Sequence, residues 1–323
     1  MGDALGRDDV KRVTAKAPIN VALCKYWGKR DETKVLPMND SLSLSMRDVL
    51  TTTTVEPSNE LCFTIDGVVQ SEAEHEKVSD FLAHFTDEAP HVHVRSKNPV
   101  PTGAGMASSA AGFAALGVAA NAYFNANLDT QRLATIVRRG SGSAVRSLLG
   151  GAVVWHRDGS IESVAVDVEA WRMVFVVIDD RRKTIGSREA MRRTVATSPT
   201  YDAFVNRADS DVKKMISALQ DGDLDAVGQI MEANQDAMHE AMAQAVPPIV
   251  YRSDASHRAR NLITTLRARG IIAYATMDAG PNVKVLVEER MLTRLKSELR
   301  RAGFARVLVS RIATVGAVVI DEN

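Results

Sequence analysis

Cysteine is scarce in this chain of 323 residues: only Cys24 and Cys62 are present, far apart and in the apolar contexts "VALCKYW" and "LCFTID". Neither stands in CxxC or Cys/His spacing, which excludes the usual zinc frameworks and leaves reduced, buried thiols as the expectation. A surplus of either charge is also missing. Lys plus Arg and Asp plus Glu each total 40, so the broad positive field behind sequence-independent nucleic-acid binding is absent, and an anionic ligand must be held by a local cluster. No stretch approaches the ~18 consecutive apolar residues of a membrane span. The opening "MGDALGRDDVKR" is charged and lacks the apolar centre of a signal peptide, so a cytoplasmic location away from membranes is expected. Internal repeats and low-complexity segments do not occur. What is plentiful is hydrophobic residues, at 45%. That suffices for a sizeable core in two domains or one large one.

The first third reads as strands, with β-branched and aromatic residues between turn formers in "TTTTVEP", "LCFTIDG" and "HVHVRSKN". A small-residue helix is predicted over 105–125, a second over "DTQRLATIVRRG", and a hairpin over "AVVWHRDGSIESVAV". A strand "RMVFVVID" precedes a mostly helical region from about 185 to 270. Two strands, "IIAYATMD" and "NVKVLVEE", a helix "MLTRLKSELRRAG" and two final strands, "FARVLVS" and "GAVVID", complete the chain. The class is therefore α+β, with strands in blocks at both ends, helices between them and a boundary near 180–190.

Five stretches carry chemistry. "PTGAGMASSAAGF" opens the small-residue helix but has no P-loop lysine, and Ser108 occupies the place of the third glycine in a dinucleotide fingerprint. Gly103, Ala104, Gly105, Met106 and Ala107 remain as a run of approachable backbone amides, with Ser108 and Ser109 adding hydroxyls at the helix start, an arrangement suited to phosphate or simply to close helix packing. "GSGSAVRS" offers Ser141, Gly142 and Ser143 as a wrapping backbone with two hydroxyls, and Arg146 as a fork for carboxylate or phosphate. "KYWGKRDETKVLPMNDSLS" puts Lys25, Tyr26 and Lys29 close together at a strand end, with Arg30 and Lys34 read as solvated. In "TMDAGPNVKVL", Asp278 ends an apolar strand before a turn fixed by Gly280 and Pro281; partial desolvation there suits a proton acceptor or a group that orients a hydroxyl. Last, "KTIGSREAMRRTVATSPTY" sets Ser187 and Arg188 at a helix start, where one face could reach an anion.

Collinear and covering most of the chain, these blocks resemble the diphosphomevalonate decarboxylases of the GHMP kinase superfamily. The resemblance implies a ribosomal-S5-like N-terminal domain over 1–184, a ferredoxin-like C-terminal domain over 185–323, and an active site in the cleft between them. It implies ATP-dependent decarboxylation of mevalonate 5-diphosphate through phosphorylation of the 3-hydroxyl, with Mg²⁺ carried by the nucleotide, and a homodimer. Residues 103–109 would hold the ATP phosphates, Asp278 would take or align the hydroxyl proton, and Arg146 would grip the substrate carboxylate. Tyr26, Lys29, Ser141, Gly142, Ser143, Ser187 and Arg188 would bind the diphosphate tail, with Lys25 among the catalytic groups and the lysine nearer ATP, Lys25 or Lys29, left open. The chain departs from the pattern at Asp40, Val154 and Gly186. A decarboxylase of mevalonate 5-phosphate and a mevalonate 3-kinase would share this scaffold, as would a non-catalytic sensor of a phosphorylated metabolite.

Overall fold

The strand "VTAKAPINVALC", β1 (Val13–Cys24), is almost continuously buried, which is possible only for a strand covered on both faces. It runs antiparallel to the long strand β4 (Ser41–Pro57), with Val21 opposite Leu44 and Ala22 opposite Ser43. Between them lies the short hairpin β2 (Lys29–Asp31) and β3 (Leu36–Pro37). The structure, a computed structural model, describes residues 11–98, 108–179 and 185–322.

Around the β1–β4 pair the first sheet adds β5 (Cys62–Ile65), β6 (Val68–Val69) and, after helix α1 (Glu72–Leu82), β7 (Val92–Lys97), which lies parallel to β5. Helix α2 (Ser108–Tyr123) packs on β1 and β4. Its buried face is largely alanine, including Ala111, Ala114 and Ala115, and side chains this small bring the helix axis close to the sheet. Helix α3 (Thr130–Gly140) starts on the Asp129 carboxylate, which accepts from Arg132 N at 2.8 Å. A 3₁₀ turn over Gly142–Ser147 leads to the hairpin β8 (Ala152–Trp155) and β9 (Ile161–Val164), which joins the sheet through β4.

Strand β10 (Trp171–Val176) begins a second sheet. Then follow α4 (Ser187–Thr197), α5 (Tyr201–Gln220), α6 (Leu224–Ala243) and α7 (Asp254–Ala268), the strands β11 (Ala273–Met277) and β12 (Val283–Glu288), α8 (Glu289–Arg301), β13 (Val307–Arg311) and β14 (Val318–Glu322). The second sheet is antiparallel in the order β11-β12-β10-β13, with α7 and α8 contributing to its core. Helices α5 and α6 touch β1, and α6 also touches β11, so this pair wedges between the two sheets. No helix of the described residues is long and apolar enough to cross a membrane.

Sheet membership cuts across a division at 184/185. β10 precedes that point yet pairs with β12 and β13, and β14, the final strand, returns to the edge of β1. Hydrophobic pattern marks a strand but not its neighbour, because pairing is settled by backbone hydrogen bonds across the chain. Both cysteines are free thiols. Cys24 is buried and desolvation pushes its thiol well up, whereas Cys62 is only half-buried, contrary to expectation.

Candidate active site

The apolar strands β1 and β11 end beside one another, and each hands over a charged residue at its end. Lys25 follows β1 and Asp278 follows β11. The Lys25 Nζ donates to Asp278 Oδ1 at 2.7 Å and to the Ala22 carbonyl at 2.8 Å. The other carboxylate oxygen accepts from Lys284 on β12 at 2.9 Å. Both ammonium groups are nearly inaccessible, at 2% and 1%, while Asp278 keeps 26% of its side chain exposed. Burial raises the Asp278 pKa, but the two ammonium charges and their hydrogen bonds prevail and hold it well below the carboxylate range. Burial pushes Lys25 below its usual value, against the pull of Asp278.

The chain then turns sharply. Gly28 sits at φ +100°, where a Cβ would lie 1.9 Å from the Tyr201 hydroxyl oxygen, and that hydroxyl donates to the Trp27 carbonyl at 2.8 Å. Only glycine satisfies both the backbone angle and this approach. Beyond the turn Lys29 pairs with Glu32 at 2.7 Å. The two lysines of the "KYWGK" stretch therefore have different settings, one locked on Asp278 and one at a carboxylate partner with 48% exposure.

Arg146, on the 3₁₀ turn, is 3% exposed. Its Nη1 donates to Ser41 Oγ at 2.6 Å, and Nε and Nη2 reach Asn20 Oδ1 at 3.4 Å. Asn20 is itself anchored by donating to Ser147 Oγ at 2.8 Å. Desolvation lowers the Arg146 pKa to about 10, with Asp278 opposing, so the guanidinium stays charged at neutral pH. Gly142 lets Tyr26 approach, since a Cβ there would meet its hydroxyl at 2.9 Å. That buried hydroxyl has no hydrogen-bond partner among the described residues. Arg188, one residue into α4, donates to the carbonyls of Arg139 and Gly140 at 3.1 and 2.6 Å, fastening α4 to the C-terminal end of α3, where a cation is favoured.

These groups line one cavity of about 530 Å³. On its wall are Lys25, Tyr26, Lys29 and Asp278, then Ser141, Gly142, Ser143 and Arg146, then Ser187 and Arg188, with Ser109 from the first turn of α2. The geometry thus gathers these eleven residues predicted from the sequence. Gly103, Ala104, Gly105, Met106 and Ala107 lie outside the described residues, and Ser108 enters only as the first residue of α2. Sequence reasoning passed over Asn20, Glu74 and Lys77, which line the same cavity, and Lys284 beneath it. A polar residue inside "PINVALC" and a lysine inside "VKVLV" were signals available for Asn20 and Lys284. Lys77 offers none, being one charge among several on α1.

The three departures also have places. Asp40 does not line the cavity; its carboxylate accepts from the Arg157 amide at 2.7 Å and pairs with His156 at 3.1 Å, so its charge is answered locally. Val154 is buried on β8, and Gly186 caps α4 at the cavity wall. Among the described residues no cluster of His, Cys, Asp and Glu is placed to hold a metal ion.

Residues 17–165 match the family described as "Diphosphomevalonate decarboxylase-like N-terminal domain", and residues 173–309 match "Mevalonate 5-diphosphate decarboxylase C-terminal domain". The diphosphomevalonate decarboxylase of Candida albicans is 34% identical over 306 residues, covering 84% of this chain and 83% of its own. The mevalonate diphosphate decarboxylase from Enterococcus faecalis superposes with a TM-score of 0.89 at 38% identity, over 97% of this chain and 99% of that one. A solved chain described as MDDEF in complex with MVAPP, AMPPCP and magnesium gives 0.90 at 38% identity, with the same coverage. The α+β, GHMP-kinase-type fold expected from the motifs is the fold observed. Its two sheets, its cleft and its paired matches over both halves place this chain in the diphosphomevalonate decarboxylase family.

Proposed function

We propose that the protein decarboxylates mevalonate 5-diphosphate with ATP, yielding isopentenyl diphosphate, carbon dioxide, ADP and phosphate. The observation that carries this reading is the placement of Arg146 and the Lys25–Asp278–Lys284 cluster beside one cleft. The chemistry demands such a pair of functions. A tertiary 3-hydroxyl is a poor leaving group until phosphorylated; departure of that phosphate leaves positive charge on C3, and loss of the neighbouring carboxylate completes the alkene.

In this reading Asp278, stabilised as a carboxylate by two ammonium groups, is a weak base. It accepts a hydrogen bond from the 3-hydroxyl and aims the oxygen; as the bond from that oxygen to the γ-phosphorus forms and the bond to the ADP oxygen breaks, the proton passes to the Asp278 carboxylate, which later releases it to solvent. Arg146 fixes the substrate carboxylate, with its own orientation set by Ser41 and Asn20. Ser141, Gly142 and Ser143, with Tyr26, Lys29, Ser187 and Arg188, bind the diphosphate tail, and that remote binding energy orients the reacting end. Residues 103–109 hold the nucleotide phosphates. The wall at Ser109 and Lys77 suits a polyanion, and magnesium, a hard cation, travels with the nucleotide's phosphate oxygens and neutralises charge on the group transferred.

The same reading takes residues 1–184 as the part carrying the phosphate loop and substrate motifs, and 185–323 as the part carrying Asp278. It also takes the protein to be a cytoplasmic homodimer. Incubation with ATP and either mevalonate 5-diphosphate or 5-phosphate, following ADP and carbon dioxide, tests the function. Equimolar ADP and carbon dioxide from the diphosphate support it. Preference for the monophosphate would reassign the substrate, ADP without carbon dioxide would indicate a bare kinase, and absence of ADP a sensor.

A further inference from the structure

Two polar side chains that do not line the cavity are buried where α5 and α6 meet: Asp211, at 4% exposure, and Asn234, at 0%. Asn234 Oδ1 accepts from the Lys25 backbone N–H at 2.7 Å, and its Nδ2 donates to Asp211 Oδ2 at 2.9 Å. That same carboxylate oxygen accepts from Arg207 Nε at 2.9 Å. On the other side, the Lys25 carbonyl accepts from Asn39 Nδ2 at 2.8 Å. The peptide groups flanking the Lys25 Cα are therefore held from both directions, and the side chain runs from that fixed point to Asp278.

The direction of the chain of bonds matters. A carboxylate only accepts, whereas a carboxamide has one accepting and one donating end. Asp211 thus obliges Asn234 to present its NH₂ to α5 and its oxygen to Lys25. An amide turned the other way would face the Lys25 N–H with donors and leave both strained. We propose that Asn234, oriented by Asp211, is a positioning residue that fixes Lys25 for the phosphoryl-transfer and decarboxylation steps; the inference rests on the decarboxylase reading above. Helices of the second half of the chain thereby set the aim of a lysine delivered by the first strand. A displacement near 1 Å at such a group costs on the order of 10²-fold in rate even when the altered residue is remote from the reacting atoms.

The test compares Asn234→Ala, Asn234→Asp, Asp211→Asn and the exchanged pair Asn234→Asp with Asp211→Asn. The exchanged pair keeps an acceptor facing the Lys25 N–H while reversing the bond between positions 211 and 234, since the carboxylate then accepts from both Lys25 and the carboxamide on α5. Steady-state kinetics with ATP and mevalonate 5-diphosphate are expected to show kcat lower by about 30-fold or more for Asn234→Ala, with both KM values within about twofold. Asn234→Asp alone, setting two carboxylates together, loses at least as much, and the exchanged pair recovers about tenfold over it. A second readout needs no substrate. Acetic anhydride labelling followed by mass spectrometry should modify Lys25 about fivefold faster in Asn234→Ala, or in the milder Asp211→Asn should the first not fold, with exposed lysines unchanged. Unchanged kcat with unchanged Lys25 labelling, or an exchanged pair no better than Asn234→Asp, overturns the proposal. A wild-type protein that makes no carbon dioxide from mevalonate 5-diphosphate overturns the decarboxylase reading instead, while the labelling still decides whether Asn234 holds Lys25.

Discussion

Lys25 and Asp278 stand 253 positions apart in the chain and 2.7 Å apart in space. With Lys284 on the other oxygen, the pair forms a group whose charges are inseparable from the fold. Replacing Asp278 by Asn removes the negative charge that both buried ammonium groups share. The expected outcome is loss of turnover by about 10³-fold with ATP binding nearly intact by calorimetry. A fall in unfolding free energy of about 3 kcal/mol should accompany it in denaturant titration. Turnover within tenfold of wild type would remove Asp278 from its role.

Arg146 is held by a fork that lysine cannot reproduce. Arg146→Lys loses the contacts to Ser41 and Asn20 together. A fall in kcat/KM of about 100-fold, about 2.7 kcal/mol, is expected with ATP affinity unchanged. Unchanged kinetics would contradict the carboxylate assignment.

Gly142 is tested by a single methyl group. In Gly142→Ala the new Cβ would meet the Tyr26 hydroxyl at 2.9 Å, so the ring must shift against Trp155, on which it packs edge-on at 4.8 Å. KM for the phosphorylated substrate should rise about tenfold, about 1.4 kcal/mol, while thermal stability changes little. An unaltered KM would show that Tyr26 does not bind the tail.

The Asp40 region gives a pH prediction. Burial lowers the His156 pKa, but hydrogen bonds and charges from Asp40 and Glu162 outweigh it and raise the value above normal. A raised folded pKa gives stability that is fully present below the unfolded value of about 6.5 and is lost as pH rises through the folded value. His156→Gln should therefore lower Tm by about 1–2 °C near pH 6 and leave it unaltered near pH 9. An equal shift at both pH values would remove the ionic contribution.

Gly28→Ala separates folding from catalysis. The added Cβ collides with Tyr201 at a φ of +100°, so a loss of about 2 kcal/mol of stability is expected by chemical denaturation. A variant as stable as wild type would show that the turn relaxes.

Local pattern carried much of this protein. The apolar runs of β1, β10, β11 and β12 and the spaced apolar positions of α5 to α7 each declare an element, because burial on a face repeats at the period of the backbone. Glycine and serine at 140–143, and the acid after "ATM", announce chemistry because such residues are poor choices for a strand or helix interior. Lys284 and Asn20 were legible in principle, as polar residues inside apolar strands, yet only Asp278 and Arg146 give them a purpose. Asn234 and Asp211 could not be found this way, since on helices they read as ordinary polar positions.

Composition and order of residues by themselves determined the class of elements, the absence of broad charge and the identities of the groups that meet in the cleft. Tertiary structure alone decided which lysines face Asp278, that β10 and β14 pair across the division at 184/185, and that Asp40 is paired away from the cavity. The reason is physical: periodicity reports a residue's own burial, whereas pairing of charges and strands depends on distances between segments that only the packed chain brings within about 3 Å of each other.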